Sequence, residues 1–293
     1  MATVYDQISS NNRKAFFLIF FFLIFVIFIG WVFSYVYDNV FILYFAVILS
    51  SVMSFISYYE SDKIVLTMSS AVEVKKKEDS LELYRIVENL AITAGIPTPK
   101  IYILEEGQPN AFATGRDEKH AVIAVTRGLL ETLNKRELSA VIAHEMAHIK
   151  GKDVLIGSIV VVLVGIIAIL SDTFMRMFFF SGSDSDNKNP IFIALGIVGI
   201  ILAPIAATLI QLAVSRKQEF KADASSILLT RDKEALISAL IKISSNRTPL
   251  KKINNATAHL YISSPFKGKV EWYSKIFMTH PPVEDRVKAL ENL

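Results

Sequence analysis

Among its 293 residues the chain has no cysteine, which excludes a disulfide framework, a thiolate metal site, an iron–sulfur cluster and a cysteine nucleophile. Any metal must therefore be held by histidines and carboxylates. Charge is scarce as well: Asp, Glu, Lys and Arg make up 20% of the residues, 52% are hydrophobic, and mean hydropathy is +0.42. That is too apolar for a surface wholly in water, so much of the chain is expected in lipid. Neither sign of charge dominates, 31 basic against 28 acidic residues giving +3, which argues against a nucleic-acid partner held by bulk charge.

What is present begins with long uncharged runs. Residues 15–37 (23 residues) and 40–59 (20 residues) each reach the roughly 20 residues that a helix needs to cross a bilayer. Only Asp38 and Asn39 separate them, which reads as a helical hairpin and not as a cleaved signal peptide. Residues 154–170 add 17 uncharged positions, and 190–215 add 26, with Pro204 a site for a kink. Four transmembrane helices are expected; the third is short enough that a buried soluble helix is the alternative.

Basic residues orient these spans. Arg13, Lys14, Lys63, Lys75, Lys76, Lys77, Lys150, Lys152, Arg216 and Lys217 fall on one side, whereas Arg176 and Lys188 stand alone on the other. The reading is a multi-pass protein of the cytoplasmic membrane with both termini in the cytoplasm. Its parts are a transmembrane hairpin at 1–60, a cytoplasmic part at 61–153, a second hairpin at 154–215 and a second cytoplasmic part at 216–293.

Between spans two and three, helical spacing of Leu83, Ile86, Val87 and Leu90 is stopped by Gly95, Pro97 and Pro99. Residues 100–104, 110–114 and 120–126 then read as the strands of a small sheet. Asn134 with Glu137 resembles a capping box opening a helix that runs to Lys150. Further helices are expected at 218–230, 233–244 and 282–293, and 251–275 reads as a surface lobe over the cleft, with a regulatory lid as the alternative. The fold class is thus an α+β integral membrane protein, mainly helical outside the membrane.

The chemistry lies on the helix after Asn134, in His144-Glu145-Met146-Ala147-His148. Four residues advance a helix by about 400°, so both imidazoles leave one face and are spaced to hold a single zinc ion. Glu145 sits about a quarter-turn away, able to reach a water at the metal without ligating it. A catalytic zinc needs a third protein ligand and an open position. Glu219 and Asp223 repeat the four-residue spacing just after the fourth run, and one can bind metal while the other orients an imidazole. A membrane hairpin between the two motifs brings them to the same bilayer surface.

Taken together, His144 to His148, Glu219-Phe220-Lys221-Ala222-Asp223, Asn110-Ala111-Phe112-Ala113, and Thr279-His280-Pro281-Pro282 followed by Arg286 resemble the HtpX-type membrane zinc metallopeptidases, relatives of the CAAX prenyl protease. The resemblance covers nearly the whole chain. It implies a gluzincin-like catalytic domain facing the cytoplasm, with one Zn²⁺ per chain held by His144, His148 and Glu219, Glu145 as base, and Asp223 supporting a ligand. It also implies that Asn110, Ala111, Phe112 and Ala113 form an edge strand under the substrate, and that His280 and Arg286 line the site. His280 is expected to donate a hydrogen bond to the developing oxyanion. The expected partners are the bilayer and unfolded or damaged membrane proteins, as in quality control under stress.

Two other classes fit the residues less well. A transporter usually carries ionisable groups within its spans, and the four runs have none. A scaffold with structural zinc has no use for Glu145 beside the metal.

Overall fold

The computed structural model describes residues 4–75, 80–181, 205, 208–209, 215–246, 248, 256–263 and 281–293. Helix α1 (Val4–Val36) and helix α2 (Val40–Tyr59) form the expected hairpin, with the Asn39 side chain accepting from the Phe41 amide to start the second helix. Their approach is close: a Cβ at Gly30 would overlap that of Ala46. Next come α3 (Ser61–Met68), β1 (Val72–Glu73), α4 (Leu81–Ala94), β2 (Lys100–Leu104), β3 (Ala111–Thr114) and β4 (Val122–Thr126). The chain continues through α5 (Arg127–Thr132), α6 (Lys135–Gly151), α7 (Asp153–Ser181), α8 (Arg216–Thr230), α9 (Lys233–Ser245) and α10 (Val283–Glu291).

Three helices are long and apolar enough to cross a membrane by length and composition: Ile8–Tyr35, Val40–Tyr59 and Asp153–Thr173. The third is longer than its uncharged core suggested, because Asp153 begins the helix and Asp172 continues it. In its apolar 18-residue stretch 67% of the residues are buried, against 22% in each of the other two, so much of it packs on the protein. The fourth expected span, 190–215, lies outside the described residues apart from Ile205, Thr208, Leu209 and Ser215, as do Lys76 and Lys77.

The sheet has the order β1-β2-β4-β3, with β2 and β4 parallel and the outer pairs antiparallel. Both of its faces are covered, so its strands read as continuous apolar runs. Ile101, Ile103, Ala113, Ile123 and Val125 point into a core shared with α4, α6 and α9. Leu104, Phe112, Val122 and Ala124 point the opposite way, towards α1, α3 and α7. The sheet is therefore a wall between the water-facing helices and the membrane helices. Strand β1 has two residues and α3 eight, too short to leave a period, and neither is foreseen from the sequence.

Helix boundaries follow local chemistry. Gly95 ends α4 at φ +71°, a left-handed conformation that suits glycine. At the start of α6 the Asn134 side chain accepts from the Arg136 and Glu137 amides while Glu137 accepts from the Asn134 amide, the capping box read from the sequence. Glu137 also takes hydrogen bonds from Ser238 and Lys242, tying α9 to the same corner. Asn11 on α1 donates to the Gly151 carbonyl at 2.9 Å and accepts from Gln218 at 3.1 Å. That single buried side chain fastens the first membrane helix to the end of α6 and the start of α8.

One expectation is corrected here. The described part of the 251–275 stretch is not a surface lobe: Ala256, Thr257, Ala258, His259, Tyr261 and Ile262 are all buried, packed between β3 and α7. Their mixed polar and apolar composition hid this, because the polar members find partners inside the protein.

Candidate metal centre

Small residues let α6 and α8 approach closely. Ala140 is buried on α6, Ala222 and Ser226 on α8, and the Ser226 hydroxyl donates to the Ala140 carbonyl at 2.7 Å. This contact sets Glu219 of α8 beside the two imidazoles of α6. The Nε2 atoms of His144 and His148 are 3.1 Å apart; Glu219 Oε1 is 3.4 Å from His148 Nε2, and Oε2 is 3.7 Å from His144 Nε2. Donor atoms of all three lie within 4.8 Å of one another. A tetrahedral ion bound at about 2.0–2.1 Å needs donors about 3.3–3.4 Å apart, so the set fits a zinc-sized ion with one position to spare.

Each imidazole is fixed from behind. His144 Nδ1–H donates to Asp223 Oδ1 at 2.9 Å, and His148 Nδ1–H donates to Asp153 Oδ2 at 2.8 Å, turning both Nε2 atoms to the centre. Asp153 is not among the site residues expected from the sequence. Its signal was available, a carboxylate five residues past the second histidine, but it passed for the flank of a membrane span. The αL conformation of Lys152, φ +57°, folds the chain between α6 and α7 so that Asp153 reaches back.

Burial would lower the His148 pKa, but Asp153, Glu219 and Glu145 hold it up to about 10. The metal-free imidazole is therefore protonated at neutral pH, and metal must displace that proton. Zinc affinity is expected to tighten by about tenfold per pH unit between pH 6 and 8, with about one proton released per ion. Calorimetry in buffers of different ionisation enthalpy reads this release directly. Asp153→Ala is expected to weaken zinc binding by about 10–100-fold, measured against a chelating dye.

Arg286 does not line the surface that a substrate touches, contrary to the expectation. It is 1% exposed and lies behind the centre, its Nε and Nη2 on the two Asp223 oxygens at 2.9 and 2.5 Å. Helix α10 brings it there. Burial would raise the Asp223 pKa, yet the His144 imidazole and the Arg286 guanidinium hold it down to about 2. His280 lies outside the described residues.

The edge strand is more divided than its sequence implied. Thr126 donates its amide to the Asn110 carbonyl at 3.0 Å, which fixes the ladder phase: Asn110, Phe112 and Thr114 face β4, while Ala111 and Ala113 face outward. Phe112 is wholly buried against Tyr261, and the Asn110 side chain is bound to Ser263. Of the four expected substrate contacts, only Ala113 lines the cleft of about 60 Å³ that also holds Glu145, His148, Glu219 and His259. His120, by contrast, is exposed beside Asp117 and Arg116.

Comparison with known proteins agrees with this geometry. The sequence profile of peptidase family M48 matches residues 77–293. A protease HtpX homologue of Dictyoglomus thermophilum is 43% identical over 98% of this chain and 94% of its own length. Another, from Caldanaerobacter subterraneus subsp. tengcongensis, is 41% identical over 99% and 98%. The crystal structure of S. mikatae Ste24p shares the fold, with a TM-score of 0.51 at 19% identity, covering 98% of this chain and 66% of that one. With its helices of membrane-spanning length and its paired histidines and glutamate, the chain belongs to peptidase family M48 and is an HtpX-type membrane metallopeptidase.

Proposed function

We propose that the protein is a zinc endopeptidase that cleaves unfolded or damaged membrane proteins on the cytoplasmic side of the cytoplasmic membrane. The observation that supports it best is that the His144, His148 and Glu219 donor set opens on a cleft lined by His148, Glu219, the Glu145 carboxylate and Ala113, whose backbone faces outward. A zinc ion held by His144, His148 and Glu219 would supply Lewis acidity to a scissile carbonyl and acidify a water. Glu145 would accept the proton of the attacking water and pass it to the leaving amine. Ala113 offers one amide and one carbonyl to an extended peptide, a contact that reads backbone and little side chain, and so suits unfolded chains. From the sequence, His280 is the donor to the oxyanion.

Asn11 holds the centre against the membrane helices, so chains emerging from the bilayer are the nearest substrates. Digestion of β-casein by detergent-purified protein, with and without zinc, tests the activity. The sidedness has its own test, helped by the lack of native cysteine. In intact cells, a Lys75→Cys variant is expected to be shielded from an impermeant thiol reagent and a Ser183→Cys variant to be labelled; the reverse pattern would overturn the topology.

A further inference from the structure

A peptide pairing with β3 must run in the lane beside its outer edge, and the chain itself already enters that lane. The Ala111 carbonyl accepts from the Ile262 amide at 3.0 Å. The next residue is clamped, since Asn110 Nδ2 donates to the Ser263 carbonyl at 2.8 Å and Asn110 Oδ1 accepts from the Ser263 amide at 3.2 Å. On its other side the Ile262 carbonyl accepts from Arg286 at 3.5 Å. Upstream, His259 Nε2–H donates to the Gly157 carbonyl at 3.3 Å, and a Cβ at Gly157 would come within 2.9 Å of Leu260, so glycine makes room for this segment on α7. Tyr261 packs edge-on against Phe112 with ring centroids 5.2 Å apart. Anchored on β3, α7 and α10, the segment is a built part of the protein.

Two residues along, the situation differs. Ala113 is 5% exposed, and no described residue pairs with its amide or carbonyl. Buried backbone groups are nearly always paired, so a pair left open beside the Glu145 and His148 cleft is suited to a ligand backbone. A paired strand needs a lane about 4.8 Å wide, and two backbones cannot share it.

We propose that Ile262 and Ser263 form an end-stop on the substrate edge. An extended peptide pairs with β3 at Ala113 but meets Ile262 at Ala111, about 7 Å further on, and must turn away or end there. On that side of the scissile bond the enzyme reads no more than about two residues. The stop sets the length of substrate that is recognised, and it leaves side-chain preference to the open side. This inference rests on the peptidase reading.

The test uses the full-length, zinc-loaded protein. A bond cleaved in β-casein is mapped by mass spectrometry, and internally quenched peptides around it are lengthened one residue at a time at either end. For the wild type, kcat/KM is expected to climb on one side and to level off within about two residues on the other. Ile262→Pro removes the amide that occupies Ala111, and Asn110→Ala removes both bonds to Ser263. In either variant, the flat side is expected to gain about fivefold for each newly paired residue, the size of a net backbone hydrogen bond. Equal gains at both ends of the wild-type series would overturn the end-stop, as would a flat side unchanged in the variant that folds. No cleavage of β-casein by zinc-loaded wild type would instead strike the peptidase reading itself.

Discussion

Glu145→Gln is expected to retain zinc and to lose hydrolysis by about 10²–10⁴-fold, the contribution of a positioned general base. The three donor residues, His144, His148 and Glu219, are untouched by the change, and Gln fills nearly the same volume at a position that is 3% exposed. Only the proton acceptor is lost. Because base catalysis acts in the transition state, the loss should fall on kcat, with KM little altered. Zinc content and steady-state hydrolysis of a quenched peptide, measured on the same preparation, decide the matter. Substantial turnover by the zinc-replete variant would place the base elsewhere.

Arg286→Met is expected to cost about 3–5 kcal/mol of stability, as breaking a buried ion pair does. Arg286 and Asp223 are each 1% exposed and share a two-bond fork, so removing the guanidinium strands a carboxylate that holds His144. Zinc affinity should fall as well, since the imidazole loses a fixed partner. The double variant Asp223→Asn, Arg286→Met should recover a large part of the stability, because it removes both charges together. The pH dependence gives a second reading. With its pKa held at about 2, below the 3.8 of an ordinary aspartate, Asp223 contributes fully above about pH 4 and loses that contribution as pH falls towards 2. Arg286→Met should therefore flatten the acid side of the stability profile. Thermal denaturation across pH 2–7 measures both effects, and an unchanged profile would mean that the pair does not support the centre.

How much of this was legible in the sequence depends on the range of the interaction concerned. The uncharged runs gave the first two membrane helices, because lipid imposes a length and a composition on one continuous segment. The capping box gave the start of α6, and four-residue spacing put His144 and His148 on one face, since helical geometry acts within a turn. The Glu219 and Asp223 pair was visible for the same reason.

Tertiary structure decided what a period cannot carry. The assignment of Asp223 to His144 and of Asp153 to His148 follows from how α6, α7 and α8 pack, not from spacing alone. Arg286 looked like a substrate contact until α10 buried it behind Asp223. The strand at Ala111–Thr114 was legible as a strand, but which of its residues face outward depends on the phase of its ladder with β4, and a shift of one residue would exchange the faces. The partner of its outer edge, Ile262, lies about 150 residues away in a stretch without any period, and only the folded chain brings it to Ala111. A sequence fixes local geometry through backbone sterics and burial patterns; contacts between distant segments are selected by packing the whole chain.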